Sequence, residues 1–148
     1  MITAATGKPH ALQALLELGP ALGVNWDDKT FQGEVALHFA ACFNQTEIIS
    51  LLVDHKADLS SRDIRQMTPL HHAVARGVEN AVEKLVSLGA DRSAKDCEGK
   101  MPIDFMHKSI FPIYKLRGSD VFKRIELLLT QPSSSKAKES LAVVRAPT

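Results

Sequence analysis

The fold of this chain is decided by a seven-residue stretch, Met67-Thr68-Pro69-Leu70-His71-His72-Ala73. Thr68 is of a type that caps helices, and Pro69 suits the first helical position, where no N–H is needed. Small or apolar residues then follow at helical spacing as far as Gly77, which can end a helix in the left-handed conformation. The stretch therefore predicts a short helix that ends at Gly77.

A second short helix is predicted directly after the first. Its apolar residues recur at helical spacing, with charged residues on the opposite face. The apolar residues are Ala81, Val82, Leu85, Val86 and Leu88. Gly89 closes this helix, and residues 90–101 are polar and extended. Each unit is therefore predicted to hold two short helices and one extended turn.

The same unit recurs with a period of 33 residues. Many positions match at this offset, and the clearest are Leu37 with Leu70 and Ile103, Thr30 with Asp63 and Asp96, His38 with His71, and Ala57-Asp58 with Ala90-Asp91. A unit of this size cannot bury its apolar face alone, so it has to stack on a neighbour. The repeat therefore predicts a solenoid.

The stretch 67–73, with Gly77 and Leu88-Gly89-Ala90-Asp91, resembles the ankyrin repeat, over roughly residues 7–130. The resemblance implies an all-α ankyrin-repeat solenoid of stacked helix-turn-helix units with projecting β-turn fingers. We expect a repeat domain over 1–130, with units of approximately 1–30, 31–63, 64–96 and 97–130. Residues 131–148 are rich in Ser, Lys, Ala and Pro and are expected to form a disordered tail.

Both terminal units depart from the repeat. The first has a predicted second helix over 8–18 but lacks the residues for a whole first helix. Three interpretations stay open: residues 1–6 form the last turn of that first helix, the chain starts inside a longer parent or alternative product, or it associates through its N-terminal face. The last unit has an insertion over 107–117, in which we expect Ile110 to Tyr114 to fold back as a C-terminal cap rather than to bind a partner. A closing helix is predicted over 120–130.

Composition excludes several classes of protein. The chain has 148 residues, 45% of them hydrophobic, and its formal net charge of +1 is far from the surplus of a dedicated nucleic-acid binder. Aromatic residues make up only 5%, which disfavours base stacking. We find no apolar run that could span a membrane and no signal peptide, and the two cysteines are too few for a disulfide scaffold. We therefore expect an intracellular protein, cytoplasmic and/or nuclear.

Catalytic and metal-binding chemistry is weakly indicated. His38 and Cys42 are four residues apart, as a metal-binding pair on a helix could be, but no second pair completes a site. The resemblance instead implies that His38 hydrogen-bonds the neighbouring turn. Asp63 and Asp96 are expected to order their own turns through backbone bonds. We expect no enzyme activity, metal or cofactor; the alternative is a thiol- or metal-dependent enzyme that uses His38, Cys42 or Cys97.

The resemblance also implies which residues are free to bind a partner, since ankyrin repeats use the fingers and the concave groove beside them. Carried over position by position, these candidates are Phe31, Gln32, Glu34, Phe43, Arg62, Ile64, Arg65, Met67, Arg76, Lys95, Glu98 and Lys100. Phe31, Phe43, Ile64 and Met67 are apolar where the fold needs no apolar residue. Acidic residues come early along the fingers and basic residues later, an order that fits a partner with a basic and an acidic end.

These observations predict a non-catalytic protein–protein interaction module that binds another protein through its concave finger-and-groove surface. The alternatives are a regulatory inhibitor of an enzyme or transcription factor, and a targeting subunit of a larger complex such as a ubiquitin ligase. We expect no nucleic-acid partner, no membrane insertion and a monomeric chain, with association through the N-terminal face as the alternative.

Overall fold

The computed structural model describes residues 10, 13, 14, 17, 27–106 and 119–131. Residues 27–106 and 119–131 form five α-helices and one 3₁₀ turn, and the described part contains no strand. They are α1 (Ala36–Cys42), α2 (Thr46–Asp54), α3 (Pro69–Arg76), α4 (Glu79–Ser87), the 3₁₀ turn (Pro102–Phe105) and α5 (Ser119–Thr130). The all-α prediction is confirmed.

The helices stack in two rows, as a solenoid requires. In the inner row α1 packs on α3, and α3 packs on the 3₁₀ turn. In the outer row α2 packs on α4, and α4 packs on α5. Each unit therefore buries its apolar face against the next unit, which explains why the 33-residue period is visible in the sequence.

The core between the rows is formed by repeated pairs. Leu37 and Leu70 are each 1% exposed, and Ile49 and Val82 are fully buried. Small side chains in the inner helices, Ala40 and Ala73, are also fully buried. Most of the core residues are thus those that the repeat predicted.

The turns between paired helices need a left-handed residue. Gly77 has φ 63° at the end of α3, and Asn44 has φ 59° at the equivalent position after α1. Asn44 thus stands where the next unit has its helix-ending glycine, because asparagine adopts this conformation more readily than other non-glycine residues.

The closing helix α5 covers the outer row. Ile125 is 1% exposed, and Val121, Leu128 and Leu129 are partly buried. An ion pair between Arg124 Nε and Glu79 Oε1, 2.6 Å apart, joins α5 to α4. The closing helix predicted over 120–130 is therefore present, and its apolar side chains pack on the core.

The predicted helix over 8–18 is described only at His10, Gln13, Ala14 and Glu17, which are helical and exposed. Its remaining residues, the insertion over 107–117 and the tail beyond Gln131 lie outside the described residues. No helix in the described ranges is long and apolar enough to cross a membrane.

Candidate protein-binding surface

Three extended turns project from the stack, and we call them finger 1 (residues 27–35), finger 2 (residues 60–68) and finger 3 (residues 93–101). In each finger the residue before the tip accepts two backbone N–H groups with its side chain. Asp63 Oδ1 accepts from Arg65 at 2.8 Å and Met67 at 2.9 Å. Asp96 Oδ1 accepts from Glu98 and Lys100, both at 2.8 Å. The expectation that Asp63 and Asp96 order their own turns is confirmed.

Neighbouring fingers are joined through their backbones. The N–H of Ile64 donates to the carbonyl of Gln32 at 2.9 Å, and the N–H of Cys97 donates to the carbonyl of Arg65 at 2.9 Å. The three fingers therefore form a row whose spacing does not depend on the side chains at their tips.

Two buried histidines tie each inner helix to the following finger. The Nδ1 of His38 accepts the N–H of Val35 at 3.2 Å, so its Nε2 bears the proton and donates to the carbonyl of Met67 at 3.0 Å. His71 repeats this arrangement, with Nε2 3.2 Å from the carbonyl oxygen of Lys100. This agrees with the structural role that the ankyrin resemblance implies for the histidines.

The hydroxyl of Thr68 contacts the ring of His71 rather than capping the helix backbone. Its Oγ1 lies 2.9 Å from His71 Nδ1, which also accepts the Thr68 N–H at 3.1 Å. Thr68 is the residue that precedes α3, as expected, but its side chain makes no hydrogen bond to the backbone there. The hydroxyl is instead held against the ring of His71.

A third histidine, His72, connects α3 to finger 2. Its Nε2 lies 3.0 Å from Oδ2 of Asp63. Burial would raise the pKa of the Asp63 carboxyl, but the bonds from His72 and from the N–H groups of Met67 and Arg65 outweigh burial and hold that pKa below its ordinary value. Asp63 is therefore ionised and fixed in place.

The candidate apolar residues separate into exposed and buried groups. Phe31, at the tip of finger 1, is fully exposed, and Ile64, at the tip of finger 2, is 66% exposed. Met67 is only 2% exposed, so its placement among the free residues is wrong. The backbone bonds do not explain this, since Lys100 repeats them and is half-buried. The physical reason is that the apolar side chain of Met67 gains free energy by leaving water, whereas the charged Glu34 and Lys100 at the equivalent positions do not.

Phe43 and Arg76 form one feature of the groove. They occupy equivalent positions at the ends of α1 and α3, and the Arg76 guanidinium lies 5.7 Å from the centroid of the Phe43 ring. Phe43 is 44% exposed and Arg76 is half-buried. The pair places a cation against the face of an exposed aromatic ring.

The basic candidates differ in how far they are already engaged. Arg62 donates from Nη1 to the carbonyls of Gln66 at 3.0 Å and Lys95 at 2.7 Å, so it joins two fingers instead of remaining available to a partner. Its assignment as a free residue is therefore wrong. Arg65 and Lys95 are exposed.

The remaining candidates are polar finger residues. Gln32 is exposed, while Glu34 is half-buried with its Oε2 3.4 Å from the hydroxyl of Thr30. Lys100 and Glu98 are paired with each other. Fingers 1 to 3 thus bring Phe31, Gln32, Ile64, Arg65 and Lys95 to one exposed surface.

Two structural roles were missed from the sequence. Asn44 Oδ1 accepts the N–H of Ala81 at 3.0 Å, which caps α4 of the next unit. Asp104, at the position equivalent to His38 and His71, accepts the N–H of Met101 at 2.8 Å. The 33-residue alignment indicates the second role, since His71 and Asp104 share a position, but nothing local indicates the first.

The groups proposed for a thiol- or metal-dependent enzyme are poorly suited to chemistry. Both ring nitrogens of His38 are already bonded, and burial raises the pKa of the half-buried Cys42 thiol despite the nearby Arg76. A raised pKa leaves less of the reactive thiolate at neutral pH. In residues 27–106 and 119–131, no group of three or more His, Cys, Asp or Glu could hold a metal ion.

Stacked helix pairs with projecting, mutually bonded fingers define a repeat scaffold of the class that binds other proteins. The chain matches the family model described as ankyrin repeats (3 copies) over residues 1–96. It belongs to the ankyrin-repeat family, whose repeats mediate protein–protein interactions.

Curated relatives share this repeat region. Protein phosphatase 1 regulatory subunit 27 of Homo sapiens is 37% identical over 86 residues, 56% of this chain and 56% of that protein. Its Mus musculus counterpart is 40% identical over 74 residues, 50% of this chain and 48% of that protein. The B-cell lymphoma 3 protein homolog of Mus musculus is 34% identical over 92 residues, 62% of this chain and 20% of that protein. The chain thus spans about half the length of the first two relatives.

Proposed function

We propose that this chain binds a partner protein through the exposed tips of its fingers and the adjoining groove, and that it has no catalytic activity of its own. Ankyrin-repeat proteins are in general non-catalytic, which supports the second part. In this proposal the chain acts as a monomer inside the cell, in the cytoplasm or nucleus. Its two cysteines, Cys42 and Cys97, are free thiols, as in proteins of reducing compartments.

The observation that supports the binding surface best is the exposure of apolar tips on a backbone that is fixed independently of them. Phe31 is fully exposed and Ile64 is 66% exposed, so neither side chain is part of the buried core. The turns are held by Thr30, Asp63 and Asp96, and neighbouring fingers by backbone bonds. Exposed apolar side chains on a rigid support are typical of binding surfaces.

The test is a paired pull-down from cell lysate, quantified by mass spectrometry. The baits are the wild-type chain and a variant with Phe31→Ala, Ile64→Ala and Arg65→Ala. Met67 is left unchanged because its replacement would open a cavity in the core. We expect at least one protein to be retained by the wild-type chain and lost by the variant.

A matched control removes similar exposed side chains elsewhere, namely Leu127→Ala and Lys123→Ala on α5. Leu127 is 54% exposed, so this variant tests the general effect of losing an exposed apolar side chain. All three baits must show the same melting temperature. Equal retention of every protein by the finger variant and the wild-type chain would contradict the proposed surface.

A second proposal is that the partner is a phosphatase catalytic subunit and that the chain is a targeting or regulatory subunit. The similarity to protein phosphatase 1 regulatory subunit 27, at 37% identity to the human form and 40% to the mouse form, favours a phosphatase as the partner. Isothermal titration of purified protein phosphatase 1 catalytic subunit into this chain tests it directly. Saturable binding with 1:1 stoichiometry is expected, and no heat above dilution would contradict it.

Phosphatase assays then distinguish a targeting subunit from an inhibitor. A pure targeting subunit leaves turnover of a small chromogenic substrate unchanged while it binds. An inhibitor lowers that turnover in proportion to its occupancy. The finger variant and the α5 control variant serve here as well, since only the former is expected to lose the interaction.

A further inference from the structure

The carboxylates on fingers 2 and 3 already have partners within the chain. Asp63 is bonded to His72 and to backbone N–H groups of its own finger. Asp96 accepts the N–H groups of Glu98 and Lys100. Glu98 is paired with the ammonium group of Lys100. Asp63 is buried, Asp96 is half-buried, and the charge of Glu98 is offset by Lys100, so these carboxylates are less accessible to a partner than an exposed cation is.

The cations on the same fingers are not neutralised in this way. Arg65 and Lys95 are exposed, and in residues 27–106 and 119–131 the structure shows no ion pair for either. Arg62 bonds the carbonyls of Gln66 and Lys95, which are dipoles without net charge. Asp91 lies close enough to Arg62 for the two charges to interact, and its Oδ1 accepts the N–H and the hydroxyl of Ser93. Fingers 2 and 3 carry four cationic and three anionic side chains, and Arg65 and Lys95 are the cations that are exposed without an ion pair in the described residues.

The three cations lie close together because adjacent fingers are bonded. The carbonyl of Arg65 accepts the N–H of Cys97 at 2.9 Å, and Arg62 Nη1 lies 2.7 Å from the carbonyl oxygen of Lys95. Next to Arg65 along the chain is Ile64, which is 66% exposed. Positive charge and an apolar side chain thus share one small area of surface. An arginine there can bind a carboxylate through two parallel hydrogen bonds.

We propose that fingers 2 and 3 bind an acidic segment of the partner protein in which apolar side chains alternate with carboxylates. The carboxylates contact Arg65 and Lys95, and an apolar side chain packs on Ile64. The proposal rests on the proposed function and adds the chemistry of the partner. Finger 1 has exposed Asp27 and Asp28, so the preference for acid is confined to fingers 2 and 3. An apolar tip beside the cations favours a peptide over a nucleic acid, whose backbone offers only phosphates and sugars.

The first test uses four fluorescein-labelled peptides of about twelve residues, with alternating Glu/Leu, Gln/Leu, Lys/Leu and Glu/Ser. Fluorescence anisotropy with the full chain at low salt gives the dissociation constants. The Glu/Leu peptide is expected to bind at least about tenfold more tightly than the other three, and more weakly as salt rises. No measurable binding of the Glu/Leu peptide, or equal binding of the Gln/Leu peptide, would overturn the proposal.

The second test locates the site. The variant Arg65→Gln with Lys95→Gln removes two charges from fingers 2 and 3, and the control Lys84→Gln with Lys123→Gln removes two from α4 and α5. The dissociation constant of the Glu/Leu peptide is expected to rise at least about fivefold in the first variant only. Equal effects of both variants, or displacement of the peptide by single-stranded RNA more readily than by polyglutamate, would overturn the proposal. The proposed function fails separately, if the triple-alanine finger variant retains every partner in the pull-down.

Discussion

The Nε2 of His38 lies 3.0 Å from the carbonyl oxygen of Met67, 29 residues further along the chain. His71 and Lys100 repeat this contact at the same separation of 29 residues. In both cases Nδ1 of the ring accepts a backbone N–H from its own unit, so the neutral ring joins two units through bonds at both of its nitrogens. Each histidine therefore belongs to the interface between repeats, where the stability of a solenoid arises.

Replacing this ring is expected to destabilise the fold. His38→Ala leaves the N–H of Val35 buried without a partner, which costs about 1–3 kcal/mol, and the Met67 carbonyl keeps only its bond from the N–H of Asp63. The cavity left by the buried ring adds to this loss. We expect the free energy of unfolding to fall by about 3 kcal/mol, measured by urea denaturation followed by circular dichroism. His55→Ala, which removes an exposed ring, should stay within about 0.5 kcal/mol of wild type. A loss below about 1 kcal/mol for His38→Ala would contradict the role of the ring as a tie between units.

The same ring makes stability depend on pH. Burial lowers the pKa of His38 from 6.5 to about 4, although the bond to the Met67 carbonyl opposes the shift, as does nearby Asp63. His72 and Lys29 lie close enough to lower it further. Since the folded chain favours the neutral ring, the stabilisation that the neutral ring provides is complete above pH 6.5 and is lost as pH falls from 6.5 towards 4. The shift corresponds to about 3 kcal/mol over this window.

Urea denaturation at a series of pH values between 7.5 and 4 measures this dependence. Burial lowers the pKa of His71 as well, so both rings contribute with the same sign. Because the pKa of Asp63 is lowered, the stabilisation that its carboxylate provides is lost only below the ordinary pKa of 3.8, which lies outside this window. The curve for His38→Gln should therefore be flatter than that of wild type but should retain the part due to His71. Parallel curves for the two proteins would show that His38 is not the titrating group.

Asn44 combines two roles that variants can separate. Its φ of 59° ends the turn after α1, and its Oδ1 caps α4 through the N–H of Ala81. Asn44→Gly keeps the backbone conformation and loses the cap, which should cost about 1 kcal/mol. Asn44→Ala loses both and should cost about 2 kcal/mol. Asn44→Asp keeps an acceptor at a helix N-terminus and should stay near wild type. The ranking is measured by urea denaturation, and equal stability of Gly and Asn at this position would rule out the cap.

The period of 33 residues was sufficient to predict the helices and most of the core. Leu37 and Leu70 were correctly paired because apolar burial repeats whenever identical units stack. The turn residues Asp63 and Asp96 were also predictable, since each bonds N–H groups two and four residues away. Both features depend on contacts that are local or strictly periodic.

The burial of a side chain on a finger was not predictable from the alignment. Met67 is equivalent to Glu34 and Lys100, so its position resembled a solvent-facing one, yet its side chain is buried. Arg62 resembled a free basic residue because its partners are backbone carbonyls, one of them on the next finger. Every residue has a backbone carbonyl, so a sequence does not indicate which of them a side chain will contact. The contact from Asn44 likewise reaches another unit. Contacts of this kind depend on the three-dimensional spacing of the units.

A stabilising substitution follows from comparing Lys56 with Gly89, its equivalent one unit later. Lys56 has φ 71°, in the left-handed region that costs a residue with a side chain about 1–2 kcal/mol, whereas Gly89 adopts φ 94° without that cost. Lys56→Gly relieves the strain but increases the entropy of the unfolded chain, which offsets about 0.4–1 kcal/mol. We expect a net gain of about 0.5–1 kcal/mol in the free energy of unfolding. Lys56→Ala removes the same exposed side chain and keeps the strain, so a gain of similar size in that variant would trace the effect to the lysine side chain rather than to its backbone.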